Sequence, residues 1–206
     1  MKVCLLISFV AVVCSGATIP VATVTPSSTF FTYDAANLIN GSGLSGGLAD
    51  DNFHNMWMTN GTTTGTLVFD LGSVFSLADT LVWNYNADCC GLGRGVQNMT
   101  ALISTNGITY TSIGSFSLTQ GTGSPIPDNV LNLGGATGRY VKFDLTANYG
   151  DTTYIGLSEV QFESSTVPEP STSALYFIGA SVLAFLLKRN PNTLHDRTPA
   201  QAALIR

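Results

Sequence analysis

Between residues 18 and 166 no apolar pattern at helical spacing persists for ~11 residues, and this restricts the available folds more than any other feature of the chain. Apolar residues come instead in short runs closed by glycine, asparagine or other turn formers. Thr66-Leu67-Val68-Phe69-Asp70-Leu71 ends at Gly72, and Asp79 to Asn86, "DTLVWNYN", follows after a turn. "NMTALIST" runs into Asn106-Gly107, the strongest hairpin signal in the chain, and "ITYTSIGSFSL" resumes beyond it. "NVLNL", "GRYVKFDLT" and "SEVQFES" then come with Gly-rich or polar breaks between them. Strands that lack a covering helix bury their apolar faces sheet against sheet. The expectation is an all-β protein, an antiparallel β-sandwich or barrel across residues 25 to 165.

The two ends of the chain read differently. Met1-Lys2 supplies a positive start, Val3 to Val13 an apolar stretch, and Ser15-Gly16-Ala17 the small residues a signal peptidase accepts, so residues 1–17 read as a signal peptide and the mature domain as exported. At the other end no charge occurs from Ser171 to Leu187, and Lys188-Arg189 follow at once. A spanning helix needs ~17–25 apolar residues, so 171–187 is expected to be a short transmembrane helix with 191–206 as a cytoplasmic tail.

Between these ends lies one domain's worth of chain, residues 18–166, whose only basic residues are Arg94, Arg139 and Lys142. Carboxylates outnumber them, among them Asp50, Asp51, Asp70, Asp144 and Glu159. Such a surface repels phosphate backbones, which argues against nucleic acid as a partner. Enzyme signatures are also missing: there is no G-x-S-x-G, no H-E-x-x-H and no Gly-rich phosphate loop, and His54 is the one histidine of the segment. Adjacent acids at Asp50-Asp51 point different ways in most backbones, a poor arrangement for a glycosidase pair.

Two resemblances follow from these motifs. Val167-Pro168-Glu169-Pro170, the apolar run and Lys188-Arg189 together resemble the PEP-CTERM sorting signal over residues 167–190. That likeness implies an exosortase-type processing enzyme as partner, transient residence in the inner membrane, and delivery to the cell surface or an extracellular polymeric matrix. The chain departs from the pattern in its thin basic cluster and in continuing to Arg206. The second resemblance runs from about Ser28 to Glu163 and rests on order: "AANLINGSG", a tryptophan, "TLVFDLGSVFSLADTLVWNYN", Arg94-Gly95-Val96, the Asn106-Gly107 hairpin, "GRYVKFDL" and "GLSEVQF". This series is similar to the discoidin, or coagulation factor 5/8 type C, domain. The likeness implies a galactose-binding-like jelly roll that holds a glycan or exopolysaccharide without catalysis. A purely structural surface protein, permanently anchored by one helix, is the alternative.

In that family the ligand is held by loops at one end of the sandwich, and the richest loop here is Asn84 to Val96, "NYNADCCGLGRGV". Tyr85 is the candidate stacking face, Asn86 an amide donor and acceptor, and Arg94 a planar cation; Tyr149 and Tyr154 flank "GDTT" and are expected at the same end. An aromatic face with a few fixed hydrogen bonds is how a sugar is gripped. The competing reading makes Asn84 and Arg94 braces of the loop. Trp57 and Trp83, in apolar contexts, are expected in the core. Cys89 and Cys90 are adjacent, with Cα atoms ~3.8 Å apart against a usual disulfide range of ~4.4–6.8 Å, so they are either a strained ring or two thiols. The family resemblance also implies a structural calcium ion, with Asn40, Asn55 and Glu159 as candidate ligands beside backbone carbonyls.

Overall fold

The computed structural model describes residues 16–165. The expected signal peptide apart from Gly16 and Ala17, the Pro-Glu-Pro segment, the expected transmembrane helix at 171–187 and the expected tail therefore lie outside the described residues. Among the described residues no helix is long and apolar enough to cross a membrane. The strands, in chain order, are β1 (Thr18–Ile19), β2 (Thr23–Pro26), β3 (Leu44–Ser45), β4 (Leu48–Ala49), β5 (Trp57–Met58) and β6 (Gly65–Asn84). They continue with β7 (Val96–Ser104), β8 (Thr111–Ser117), β9 (Asn129–Asn132), β10 (Thr137–Asn148) and β11 (Gly156–Ser164). Four short 3-10 turns, Ala35–Leu38, Phe53–Asn55, Asp88–Cys90 and Leu92–Arg94, are the helical elements among the described residues.

Every strand-to-strand register is antiparallel, and β6 belongs to both layers. Its first half pairs with β2 and β10, and β10 continues the layer through β7 to β8. Its second half pairs with β11 and β9, and β11 carries β1 and β5 along its far edge. The expected all-β sandwich is thus what forms. One detail differs. Gly72, read from the sequence as the turn between two strands, lies inside a single strand of 20 residues. It sits at φ +76°, and the register against β10 jumps from Asp70↔Tyr140 to Phe75↔Gly138. Residues 71–74 therefore bulge out of the ladder, which bends the strand from one layer into the other without reversing it.

The alternation in β6, β10 and β11 decides what fills the space between the layers. Leu67, Phe69, Val82, Val141, Phe143, Leu145, Val160 and Phe162 all turn inward and are buried. Phe69 meets Phe143 and Phe162 edge to face, each pair with centroids 5.2 Å apart, the arrangement that aromatic quadrupoles favour. Trp57 and Trp83 are buried as expected. Each indole N–H is satisfied by a carbonyl, that of Ser28 at 3.2 Å and of Gly47 at 3.0 Å.

Candidate functional site

The loop after β6 is built around two asparagines with no exposed surface. Asn84 donates to the carbonyls of Val96 and Thr119, both at 2.8 Å, and accepts from the N–H groups of Val96 at 2.8 Å and Tyr85 at 2.9 Å. Asn86 donates to Asp50 O at 3.0 Å and Ser124 O at 2.7 Å, and accepts from Thr122 N at 2.9 Å and Gly123 N at 3.0 Å. Each amide therefore has both donors and both lone pairs engaged by backbone. Asn84 ties the ends of its own loop to residue 119, whereas Asn86 ties three separate loops together. The bracing reading holds for Asn84.

Two candidate ligand contacts need correcting. Asn86 spends its whole hydrogen-bonding capacity inside the protein, and Tyr85 is wholly buried beside Met56, Met58 and Tyr33. Burial pushes the Tyr85 phenol well above its usual range, against the lowering pull of the Arg94 hydrogen bond. Neither side chain can meet a ligand here. The physical reason is that loops 27–34, 53–58 and 119–124, distant in sequence, close over them.

Arg94 is differently placed. Its Nε donates to Asp151 Oδ2 at 3.3 Å, its Nη1 to the Tyr85 hydroxyl at 3.4 Å, and its guanidinium carbon lies 5.0 Å from the centroid of the Tyr154 ring. Burial tends to raise the Asp151 carboxyl, but N–H groups of Thr153 at 2.7 Å and Tyr154 at 2.8 Å, with Arg94, hold it below the usual carboxylate range. Tyr149 donates its hydroxyl to Leu118 O, and its N–H reaches Gly93 O at 3.0 Å. A Cβ at Gly93 would stand 3.1 Å from Asp151 N, so glycine is what lets the loops 91–95 and 149–151 touch. Arg94, Tyr149 and Tyr154 thus share one end of the sandwich, as expected, and Tyr149 acts mainly as a clasp between loops.

The exposed part of that end was not anticipated from the sequence. Phe31 is 89% exposed and sits at φ +47°, the one non-glycine residue at positive φ among the described residues. An aromatic side chain held in that region is a genuine outlier, and such strain concentrates at binding sites. Its ring lies 5.5 Å from Phe30, which lies 5.0 Å from Tyr154, and Tyr33 and Phe53 continue the cluster at 6.0 and 5.8 Å. The signal was present in "STFFTY", residues 28–33, an aromatic run in a polar context. Cys89 and Cys90 border this cluster as free thiols.

The calcium candidates are only partly assembled. Glu159 and Asn40 line one cleft of about 280 Å³ with Thr18, Ile19, Ile39 and Gly41. Asn55 does not line it, and its amide nitrogen is committed to Asp50 Oδ2 at 2.8 Å. Glu159, 2% exposed, receives the N–H of Gly41 on both oxygens, at 3.2 and 3.1 Å. Burial pushes its carboxyl up to about 7, the Gly41 and Gln161 hydrogen bonds acting against it. A buried carboxylate so short of donors is a fit for a cation. Asn40 fits less well, because its Oδ1 already accepts the Ser42 N–H at 2.7 Å.

A CBM32 module of a family 31 glycoside hydrolase from Clostridium perfringens matches with a TM-score of 0.53 at 14% identity, over 71% of this chain and 92% of that one. A Streptococcus pneumoniae fucose-binding module matches with a TM-score of 0.54 at 16% identity, over 73% and 96%. The fold is the galactose-binding-like jelly roll. The lectin domain of lectinolysin, solved in complex with the Lewis B antigen, matches with a TM-score of 0.52 at 18% identity, over 70% of this chain and 93% of that one. No protein-family model and no curated protein sequence matches the chain.

Proposed function

We propose that this chain is an exported, non-catalytic glycan-binding protein, with the aromatic end of the sandwich as its sugar site. The observation that carries the reading is Phe31, 89% exposed in a strained backbone beside Phe30, whose ring in turn neighbours Tyr154 with Arg94 stacked over it. A pyranose ring presents one apolar face and a rim of hydroxyls, and a small aromatic platform flanked by a guanidinium and a carboxylate matches both. Solved proteins of the same fold support the choice of ligand class: their structures hold N-acetylgalactosamine, unsaturated mannuronic acid and the Lewis B antigen. The deciding experiment is a glycan array followed by calorimetry on residues 18–166 and on its Phe31→Ala and Arg94→Ala variants. Binding that either substitution weakens at least tenfold, about 1.4 kcal/mol, upholds the site. No retained glycan on the array returns the protein to a structural role at the surface.

The proposal extends to two features. Residues 167–190 act as a sorting signal, made of Val167-Pro168-Glu169-Pro170, the apolar run and Lys188-Arg189. Changing Pro168-Glu169-Pro170 to alanines leaves full-length protein in the inner membrane and empties the surface pool; an unchanged distribution removes the processing step. A calcium ion would be held by Glu159 and carbonyls near Asn40, where it would neutralise the buried carboxylate. Melting temperatures equal in calcium and in chelator discard it.

A further inference from the structure

Three asparagine–glycine pairs occur among the described residues: Asn40-Gly41, Asn60-Gly61 and Asn106-Gly107. Such pairs are labile because a glycine nitrogen, with no Cβ crowding it, can attack the preceding carboxamide and close a five-membered ring. The surroundings of the three differ. At Asn106 the Gly107 N–H goes to the Ser104 hydroxyl at 3.0 Å, and the amide oxygen is held by the N–H groups of Ile108 at 2.9 Å and Thr109 at 3.0 Å. A hydroxyl is no base near neutral pH. Asn60 is exposed, and no carboxylate is hydrogen-bonded to Gly61 among the described residues.

At the first pair a carboxylate faces the nucleophile. The Gly41 N–H donates to both oxygens of the buried Glu159, at 3.2 and 3.1 Å. The Ser42 N–H donates to Asn40 Oδ1 at 2.7 Å, which folds the carboxamide back along its own backbone. Gly41 sits at φ +70° in open space, with nothing within 4 Å of where a Cβ would stand. The Asn40 side chain is itself exposed to water.

We propose that Asn40 is a self-modifying position, converted to aspartate or isoaspartate with Glu159 as the general base. The Gly41 nitrogen attacks Asn40 Cγ while Glu159 takes the amide proton. The new N–Cγ bond forms, and negative charge develops on Oδ1, where the Ser42 N–H donates. Glu159 returns the proton to Nδ2, the Cγ–Nδ2 bond breaks, and ammonia leaves. One water then opens the succinimide. Cleavage of the bond to Cγ gives aspartate, and cleavage of the bond to the backbone carbonyl carbon gives isoaspartate. Water is consumed and ammonia released, with no oxidant or metal required. The product adds a second carboxylate to the cleft lined by Thr18, Ile39 and Glu159.

The test uses the full chain in a chelating buffer near neutral pH, so that no cation competes for Glu159. Peptide mapping by mass spectrometry follows all three asparagines during incubation, native and in urea. In the native protein Asn40 converts at least as fast as in the unfolded chain, whereas folding slows Asn106. Glu159→Gln slows Asn40 by about tenfold or more and leaves Asn60 unchanged; a positioned base typically contributes ~10²–10⁴, and these hydrogen bonds are long. Asn40 slowed by folding as much as Asn106, or an Asn40 rate indifferent to Glu159→Gln, overturns the proposal. Should that variant not fold, Asn60 and Asn106 will convert at their urea rates, and the native-against-urea comparison of the unaltered chain decides alone.

Discussion

Asn86→Asp exchanges an amide nitrogen for an oxygen at a site with no exposed surface, and its cost can be worked from four hydrogen bonds. The acceptor side survives, because a carboxylate oxygen still takes the N–H groups of Thr122 and Gly123 at 2.9 and 3.0 Å. The donor side inverts. Asp50 O and Ser124 O, which accepted an N–H at 3.0 and 2.7 Å, would then face a second oxygen carrying charge. Two unsatisfied buried carbonyls cost ~1–3 kcal/mol each, so the ionised variant loses about 2–6 kcal/mol. At ~2–4 °C per kcal/mol for a domain of this size, the melting temperature falls by roughly 5–20 °C near neutral pH. Protonation restores one donor. The folded-state pKa of the new carboxyl is therefore raised above its unfolded value of ~3.9, and the variant is penalised progressively as pH rises above that value. Differential scanning fluorimetry of parent and variant from about pH 4 to neutral checks this, with the gap narrowing towards the acid end. A variant as stable as the parent at neutral pH, or one equally impaired at both ends, refutes the view that Asn86 locks three loops by donating.

The Glu159 carboxyl, raised to about 7 by burial, gives the parent protein its own pH signature. Its folded pKa exceeds the unfolded ~4.3, so stability present below ~4.3 is lost as pH climbs to about 7, and Glu159→Gln flattens that slope in urea titrations made in chelator. Phe31→Gly moves stability and function in opposite directions: relief of the φ +47° backbone raises the urea midpoint by an amount worth about 1 kcal/mol, while glycan affinity falls. Gly93→Ala weakens glycan affinity and lowers the melting temperature together, because its Cβ would press on Asp151 N at 3.1 Å and part the loops that carry Arg94.

The sheets were legible because their signal is local. Alternation along "GRYVKFDLT" and "SEVQFES" puts Val141, Phe143, Val160 and Phe162 on one face whatever else the chain does, and Trp57 and Trp83 belonged to apolar neighbourhoods from the start. Gly72 misled for an equally local reason, since the same left-handed glycine serves a turn and a bulge. Which of the two forms depends on a partner strand, β10, that lies more than sixty residues further on.

The site was less legible. Tyr85, Asn86 and Arg94 sit within ten residues of one another in a Gly-rich loop, and the sequence offered no ground for separating them. In the fold, loops 27–34, 53–58 and 119–124 seal the first two and leave Arg94 at the rim over Tyr154. By itself, then, the sequence determined the strands and their inward faces, because periodicity acts over a few residues. Only the tertiary structure decided which polar and aromatic side chains meet solvent. Burial is a property of several distant segments closing together, and no single stretch encodes it.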